Sequence, residues 1–177
     1  MWCACVEDCT VLLMQKVDDA SFFDRTWAEF KAGFGDVDGN YWLGNELIHQ
    51  LTKDDGYKLR IDLQVEKENW QRCWLWAEYS TFIVADEASK YRVTVSGYTG
   101  DAGDVLQDVD GKKFTTSDDD NDDYSEVNNA VDYGFGFWHD YNGAQCELLG
   151  DANYSYCAGL SIVHSHMITR KMWLQCK

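Results

Sequence analysis

The chain has 177 residues, with 15 Lys+Arg against 31 Asp+Glu for a formal net charge of −16, and no proline. Phosphate backbones and anionic membrane surfaces select clustered Lys and Arg, so nucleic acid and membrane surfaces are excluded as ligands, and polyproline segments are excluded as well. Aromatics at 15% and hydrophobic residues at 45% exclude a disordered chain and suffice for one core, so one domain over residues 1–177 is expected.

The N-terminal segment Met1-Trp2-Cys3-Ala4-Cys5-Val6-Glu7-Asp8-Cys9 has no basic residue, and the first apolar run is only Val11 to Met14. A signal peptide needs a basic start and an apolar stretch of about 7–15 residues, and a membrane span needs ~18. The chain as given is expected to lack a secretion signal of its own and to be a mature product, a fragment or one domain of a longer protein. The seven cysteines, Cys3, Cys5, Cys9, Cys73, Cys146, Cys157 and Cys176, are odd in number. At least one is therefore free or pairs outside the chain. Cys3, Cys5 and Cys9 do not have zinc-knuckle spacing. The cysteine content argues for an oxidising compartment.

Trp27, Phe30 and Phe34 recur at helical spacing, which predicts a short amphipathic helix over 26–34 with Thr26 as N-cap. Gly35-Asp36-Val37-Asp38-Gly39-Asn40 is turn chemistry. Leu43, Leu47, Ile48 and Leu51 predict a second helix over 43–51. The period then changes to two. Tyr57, Leu59, Ile61 and Leu63 alternate with Lys58, Arg60 and Asp62 in a half-buried strand. Trp74, Trp76, Glu78 and Ser80 oppose Leu75, Ala77, Tyr79 and Thr81 in a second strand, which Phe82-Ile83-Val84 extends. Tyr91, Val93 and Val95 mark a third. Two early helices followed by successive strands predict an α+β fold around an antiparallel sheet. From Gly97 to Gly159 the sequence is rich in Gly, Asp, Asn and Tyr and has little periodicity. Phe114, Tyr124, Tyr133, Phe135, Phe137 and Trp138 nevertheless argue that it is ordered, and such segments are often functional.

Residues 118–123 read Asp-Asp-Asp-Asn-Asp-Asp. Carboxylates packed this closely repel one another, and an ordered loop would need a cation. Oxygen ligands at alternate positions suit Ca²⁺, which takes about 6–8 oxygens. The EF-hand pattern fails, because Asp123 stands where glycine is required and Asn129 where glutamate is. Composition alone leaves a solvated acidic loop equally open; the flanking Phe114 and Tyr124 favour an ordered one.

Several blocks occur in the order and near the spacing of a known family. They are residues 27–36 (Trp27 to Asp36), 41–52 (Tyr41 to Thr52), 57–63 (Tyr57 to Leu63), 77–82 (Ala77 to Phe82), 91–104 (Tyr91 to Asp104) and Phe114-Thr115-Thr116 leading into the acidic run. With these blocks the sequence resembles the fibrinogen-related domain, the C-terminal globular module of fibrinogen subunits, ficolins, tachylectins, tenascins and angiopoietins. The match is strongest over 10–140. The resemblance implies a secreted, non-enzymatic recognition domain, α+β around a twisted antiparallel sheet, with a long irregular calcium- and ligand-binding region. It also implies Ca²⁺ held by the side chains of Asp120 and Asp122 and the backbone carbonyls of Tyr124 and Glu126.

This sequence departs from the family near the ligand pocket. Asn128-Asn129-Ala130 replaces the family's Asn-Cys-Ala, which removes the first cysteine of a disulfide. The stretch from Phe137-Trp138 to Cys146 is longer than in relatives, and Glu147 stands where a histidine follows the second cysteine. Cys146 is left either free or paired with Cys157. Tyr133 falls on a pocket tyrosine of the acetyl-binding members. Segment 160–177 is shorter than in relatives, and Asp8-Cys9-Thr10-Val11 stands where the family has Gly-Trp-Thr-Val.

Other constellations carry less. His164 and His166 with Cys157 or Cys176 form a zinc candidate, but two surface or partly buried histidines are the better reading. Cys146 with His139 is the only local nucleophile–base pair, and no orienting group marks it. Gly97, Gly100, Gly103 and Gly111 lack phosphate-loop spacing. Trp70, Trp74 and Trp76 are expected to pack in the core and on the sheet face rather than to form a sugar-stacking platform. The expectation is a calcium-dependent, lectin-like module. Its ligand is an acetylated carbohydrate at Tyr133 and Glu147, and its role is in innate defence. The alternative is a structural or signalling protein-interaction domain that binds cell-surface proteins and has lost sugar binding. Homo-oligomers through the N-terminal cysteines fit either.

Overall fold

A computed structural model of the protein describes residues 9–18, 21–66, 70–139, 148–150 and 166–177. In sequence order the elements are β1 (Thr10–Lys16), α1 (Trp27–Ala32), β2 (Phe34–Gly35), β3 (Tyr41–Trp42), α2 (Asn45–Thr52), β4 (Tyr57–Glu66), β5 (Arg72–Val84), a 3₁₀ turn (Glu87–Ser89), β6 (Val93–Gly100), α3 (Asn129–Tyr133) and β7 (His166–Cys176). Among the described residues seven strands form one sheet in the order β2-β3-β1-β7-β4-β5-β6. Every neighbouring pair is antiparallel. This is the expected α+β architecture.

Local chemistry explains the predicted elements. Thr26 caps α1, and Glu29 reaches back to the Thr26 N–H at 2.9 Å, completing a capping box. α2 begins two residues later than predicted, at Asn45, and turns Ile48 inward while Leu47 stays exposed. β4 alternates as predicted and buries Leu59, Ile61, Leu63 and Val65. β5 buries Ala77 and Tyr79, then Phe82 and Val84, so its inward parity changes between Tyr79 and Phe82. The change lies where Ser80 meets Gly97 of β6. Gly97 has φ +74°, and a Cβ there would lie 2.0 Å from the Ser80 hydroxyl oxygen, so only glycine fits.

Two sequence expectations need correction. Tyr91 is not part of the third strand, which starts at Val93 and runs on to Gly100. Tyr91 instead sits in a turn with φ 47°, buried, its hydroxyl donating to Glu46 at 3.0 Å. Trp70 and Trp74 are not packed in the core: they are 82% and 52% exposed. Because Ala77 and Tyr79 face inward, period two sends Trp74 and Trp76 to the solvent face, where the Arg60 guanidinium lies 5.1 Å above the Trp76 ring. β1 and β7, for which the sequence predicts no element, lie inside the sheet, paired with each other from Thr10↔Gln175 to Lys16↔Arg170. Of the proposed zinc residues, His164 and Cys157 lie outside the described residues, and His166 is described only in its backbone.

The core joins Leu13 and Met14 of β1, the inward residues of β4 and β5, Met172 and Leu174 of β7, Phe30 of α1 and Ile48 of α2. Each fully buried side chain of this size contributes about 1.5–3 kcal/mol. An aromatic layer of Trp27, Phe30, Trp42, Phe114 and Trp138 continues it toward the irregular region. Phe114 lies 5.0 Å from Phe30 and 5.1 Å from Trp138, so it anchors the start of the acidic loop in the core.

Candidate functional site

The acidic run emerges directly from that anchor. Thr115 bridges to Phe137, and Thr116 bridges to Asp119 across a tight turn. Asn121 closes the turn from inside: its amide donates to the carbonyls of Phe114 and Asp119, both at 3.1 Å. Asn128 ties the far end, donating to the Thr116 carbonyl at 3.0 Å while its side-chain oxygen accepts from Ala130 N–H at 2.8 Å and so caps α3. The loop is thus held by two asparagine side chains and one buried phenylalanine.

Four of its five carboxylates have partners that offset their charge. Asp118 accepts the Trp27 N–H in the first turn of α1 at 2.8 Å. Asp119 pairs with Lys90 at 2.8 Å. Asp123 pairs with Lys112 at 2.8 Å, and that hydrogen bond holds its carboxyl below the usual carboxylate value. Asp122 accepts the backbone N–H groups of Tyr124 at 2.8 Å and of Asn129 at 2.9 Å. Asp120 is different. Among the described residues it receives only the Asp122 N–H, at 3.3 Å, and no cationic side chain pairs with it. Partial desolvation, followed by the charges of Asp122 and Asp119, raises its carboxyl above the ordinary value.

The sequence-derived ligand set is therefore partly gathered. Asp120, Asp122 and Tyr124 are consecutive links in one series, in which the Asp120 carboxylate accepts the Asp122 N–H and the Asp122 carboxylate accepts the Tyr124 N–H. Glu126 follows in the same loop, exposed. Among the described residues no three His, Cys, Asp or Glu side chains converge as a metal cluster. A calcium ion here would have to take backbone carbonyls beside the two aspartates, which suits the hard oxygen preference of the ion. The residues present fit such a group: two carboxylates two positions apart, one of them without a countercharge among the described residues.

Tyr133 ends α3 beside this loop, and the Asn129 N–H to Asp122 bond couples the two. The Tyr133 ring is 38% exposed and stacks on His139, with centroids 5.8 Å apart and planes inclined by 20°. His139 is buried, its Nε2 lying 3.0 Å from the Phe135 carbonyl, and its Nδ1 has no hydrogen-bond partner among the described residues. Burial pushes its pKa down to about 4, so the ring is neutral near pH 7. Its proposed partner Cys146 and the pocket residue Glu147 lie outside the described residues.

Sequence reasoning missed Asp118, Lys90, Lys112, Asn121 and His139 as organisers of this region. Asn121 and Asn128 carry a usable signal, since asparagine is favoured where side chains substitute for backbone turns. Lys90 and Lys112 carry none, because each meets its aspartate from another part of the sequence.

Comparison with known proteins decides the family. The family pattern described as fibrinogen beta and gamma chains, C-terminal globular domain, matches residues 3–174. The protein belongs to that family. Human fibroleukin is 43% identical over 134 residues, covering 73% of this chain and 30% of fibroleukin. This fibrinogen-type domain spans less than a third of the length of the curated relatives first matched. In structure it is similar to the fibrinogen-like globe domain of human ANGPTL2, with TM-score 0.82 and 29% identity, over 94% of this chain and 80% of that one. It is also similar to lamprey fibrin D-dimer complexed with the peptide ligand Gly-His-Arg-Pro-amide, with TM-score 0.76 and 26% identity, over 92% of this chain and 60% of that one.

Proposed function

We propose that this protein is an exported, non-enzymatic protein-recognition domain rather than a sugar-binding lectin. The observation that carries this reading is the peptide complex of lamprey fibrin, a relative that shares the fold over 92% of this chain. That peptide carries a histidine and an arginine, and here the net charge of −16 and the acidic loop suit a basic protein ligand. The sequence departures count against a conserved acetyl pocket: Asn129 replaces a disulfide cysteine and Glu147 replaces a histidine. Passage over immobilised N-acetylglucosamine separates the readings. A protein-recognition domain flows through with calcium or with EDTA. Retention with calcium and release by EDTA or free N-acetylglucosamine would support the lectin instead.

A second observation favours a cation on the same face. Among the described residues Asp120 has no countercharge, while Asp118, Asp119, Asp122 and Asp123 each have a partner. We propose Ca²⁺ at the side chains of Asp120 and Asp122 and the carbonyls of Tyr124 and Glu126. The bound ion would hold the loop in one conformation and so reduce the ordering cost of binding a partner. Millimolar Ca²⁺ is expected to raise the Tm of the parent and to leave the Asp120→Ala, Asp122→Ala variant unchanged. An equal rise in both would remove the site from this loop.

A further inference from the structure

We propose that Cys9 and Cys176 form a disulfide bond that ties the first strand of the sheet to the last. β1 and β7 pair antiparallel with Thr10 opposite Gln175 and Val11 opposite Leu174. The next step of that register sets Cys9 opposite Cys176, and the Cys176 N–H donates to the Cys9 carbonyl at 3.2 Å. Directly opposed residues that share backbone hydrogen bonds lie about 5.5 Å apart at Cα, and their side chains project from the same face of the sheet. Disulfides span Cα separations of roughly 4.4–6.8 Å but need Cβ atoms about 3.5–4.5 Å apart, closer than the ~5.5 Å of a hydrogen-bonded pair, so closure draws the two strand ends slightly together as well as turning the side chains.

Both cysteines are partly buried, beside the inward Val11 and Leu174. The end of β7 is also fixed from its other side. Lys177 N–H donates to the Gly56 carbonyl at 3.1 Å, and the Lys177 ammonium pairs with Asp55. Cys176 is therefore held between β1 and β4. Cys73, by contrast, lies opposite Val65, so its own register offers no bridging partner.

Closure is a two-electron oxidation of the two thiols. With a low-molecular-weight disulfide such as oxidised glutathione, one cysteine thiolate attacks a glutathione sulfur and releases the first glutathione thiol. The second cysteine thiolate then attacks the mixed disulfide, forms the Cys9–Cys176 bond and releases the second glutathione thiol. The bond closes a loop of almost the whole sequence, which is where a crosslink restricts the unfolded state most. It gives the fold a covalent link between two strands that are adjacent in space and at opposite ends of the sequence.

The test is a peptide map of the protein refolded in a glutathione redox buffer, alkylated with iodoacetamide under denaturing conditions and digested without reductant. A linked peptide pair carrying Cys9 and Cys176, which separates on reduction, is expected. Alkylation of either cysteine, or linkage of either one to Cys3, Cys5, Cys73, Cys146 or Cys157, overturns the proposal. Single variants give a second readout. Cys9→Ser and Cys176→Ser should each melt lower than the parent by on the order of 10 °C without reductant, and match it in dithiothreitol. Equal melting of parent and variants without reductant also overturns it.

Discussion

The backbone N–H of Trp27 donates to the Asp118 carboxylate at 2.8 Å, joining the first helix to the acidic loop across 91 positions of sequence. The contact fixes the loop against the aromatic layer, because the Trp27 ring itself stacks on Tyr91 at 5.5 Å and donates through its indole N–H to Glu87 at 3.0 Å.

Replacing Asp118 with alanine leaves that first-turn amide of α1 without its acceptor. The expected loss is about 1 kcal/mol, the size typical of a removed helix-terminal acceptor. Asp118→Asn keeps an acceptor oxygen and should lose less. Urea unfolding of the two variants against the parent measures both, and equal losses would show that charge rather than hydrogen bonding matters.

Tyr79 supports the region after β6 from beneath. Its hydroxyl donates to Asp104 at 2.8 Å and accepts the Leu106 N–H at 2.9 Å. Burial, together with the Asp104 carboxylate, raises the phenol well above its usual range, so it stays a neutral donor. Tyr79→Phe strands a buried amide and a carboxylate, and should destabilise by about 1–3 kcal/mol. Faster amide hydrogen exchange at Leu106 would localise the effect, and an unchanged rate would contradict it.

His139 makes stability depend on pH in a definite window. Its folded pKa of about 4 lies below the ordinary 6.5. The unfolded state therefore binds a proton that the folded state refuses, and stability falls as pH drops from about 6.5 toward 4, by up to about 3 kcal/mol. Glu29, Glu46 and Glu87 have lowered values, so their contributions are lost at lower pH, starting near their ordinary 4.5. Asp120 acts with the opposite sign, because a raised carboxyl favours the folded state as pH falls. Denaturant unfolding at several pH values between 7 and 4 should show a flatter profile for His139→Phe than for the parent. Parallel profiles would assign the slope to other groups.

How far the fold was legible depended on how local each signal was. α1 could be read because its cap, Thr26, adjoins the helix. β4 could be read because Leu59, Ile61 and Leu63 alternate with exposed polar residues. β1 and β7 could not. β1 runs Leu12-Leu13-Met14 through a register shift, and β7 puts the charged Arg170 in line with the buried Met172 and Leu174 and the apolar Trp173 on the other face, so neither reads as an apolar–polar alternation. Each is specified mainly by the other, from the far end of the sequence. Trp74 and Trp76 show the limit of parity: alternation separates two faces, and it takes the burial of Ala77 and Tyr79 to say which face is inside. In the site, family spacing pointed to Asp120 and Asp122, whereas the roles of Asp118, Lys90 and Lys112 depend on partners supplied by the fold.

Binding of the fluorescently labelled domain to intact animal cells tests the central claim most directly, with the cells either protease-treated or supplied with excess free N-acetylglucosamine. A protein-recognition domain loses binding after protease treatment and keeps it in the presence of the sugar. Binding that survives protease and is abolished by N-acetylglucosamine would contradict the account and return the fold to lectin function.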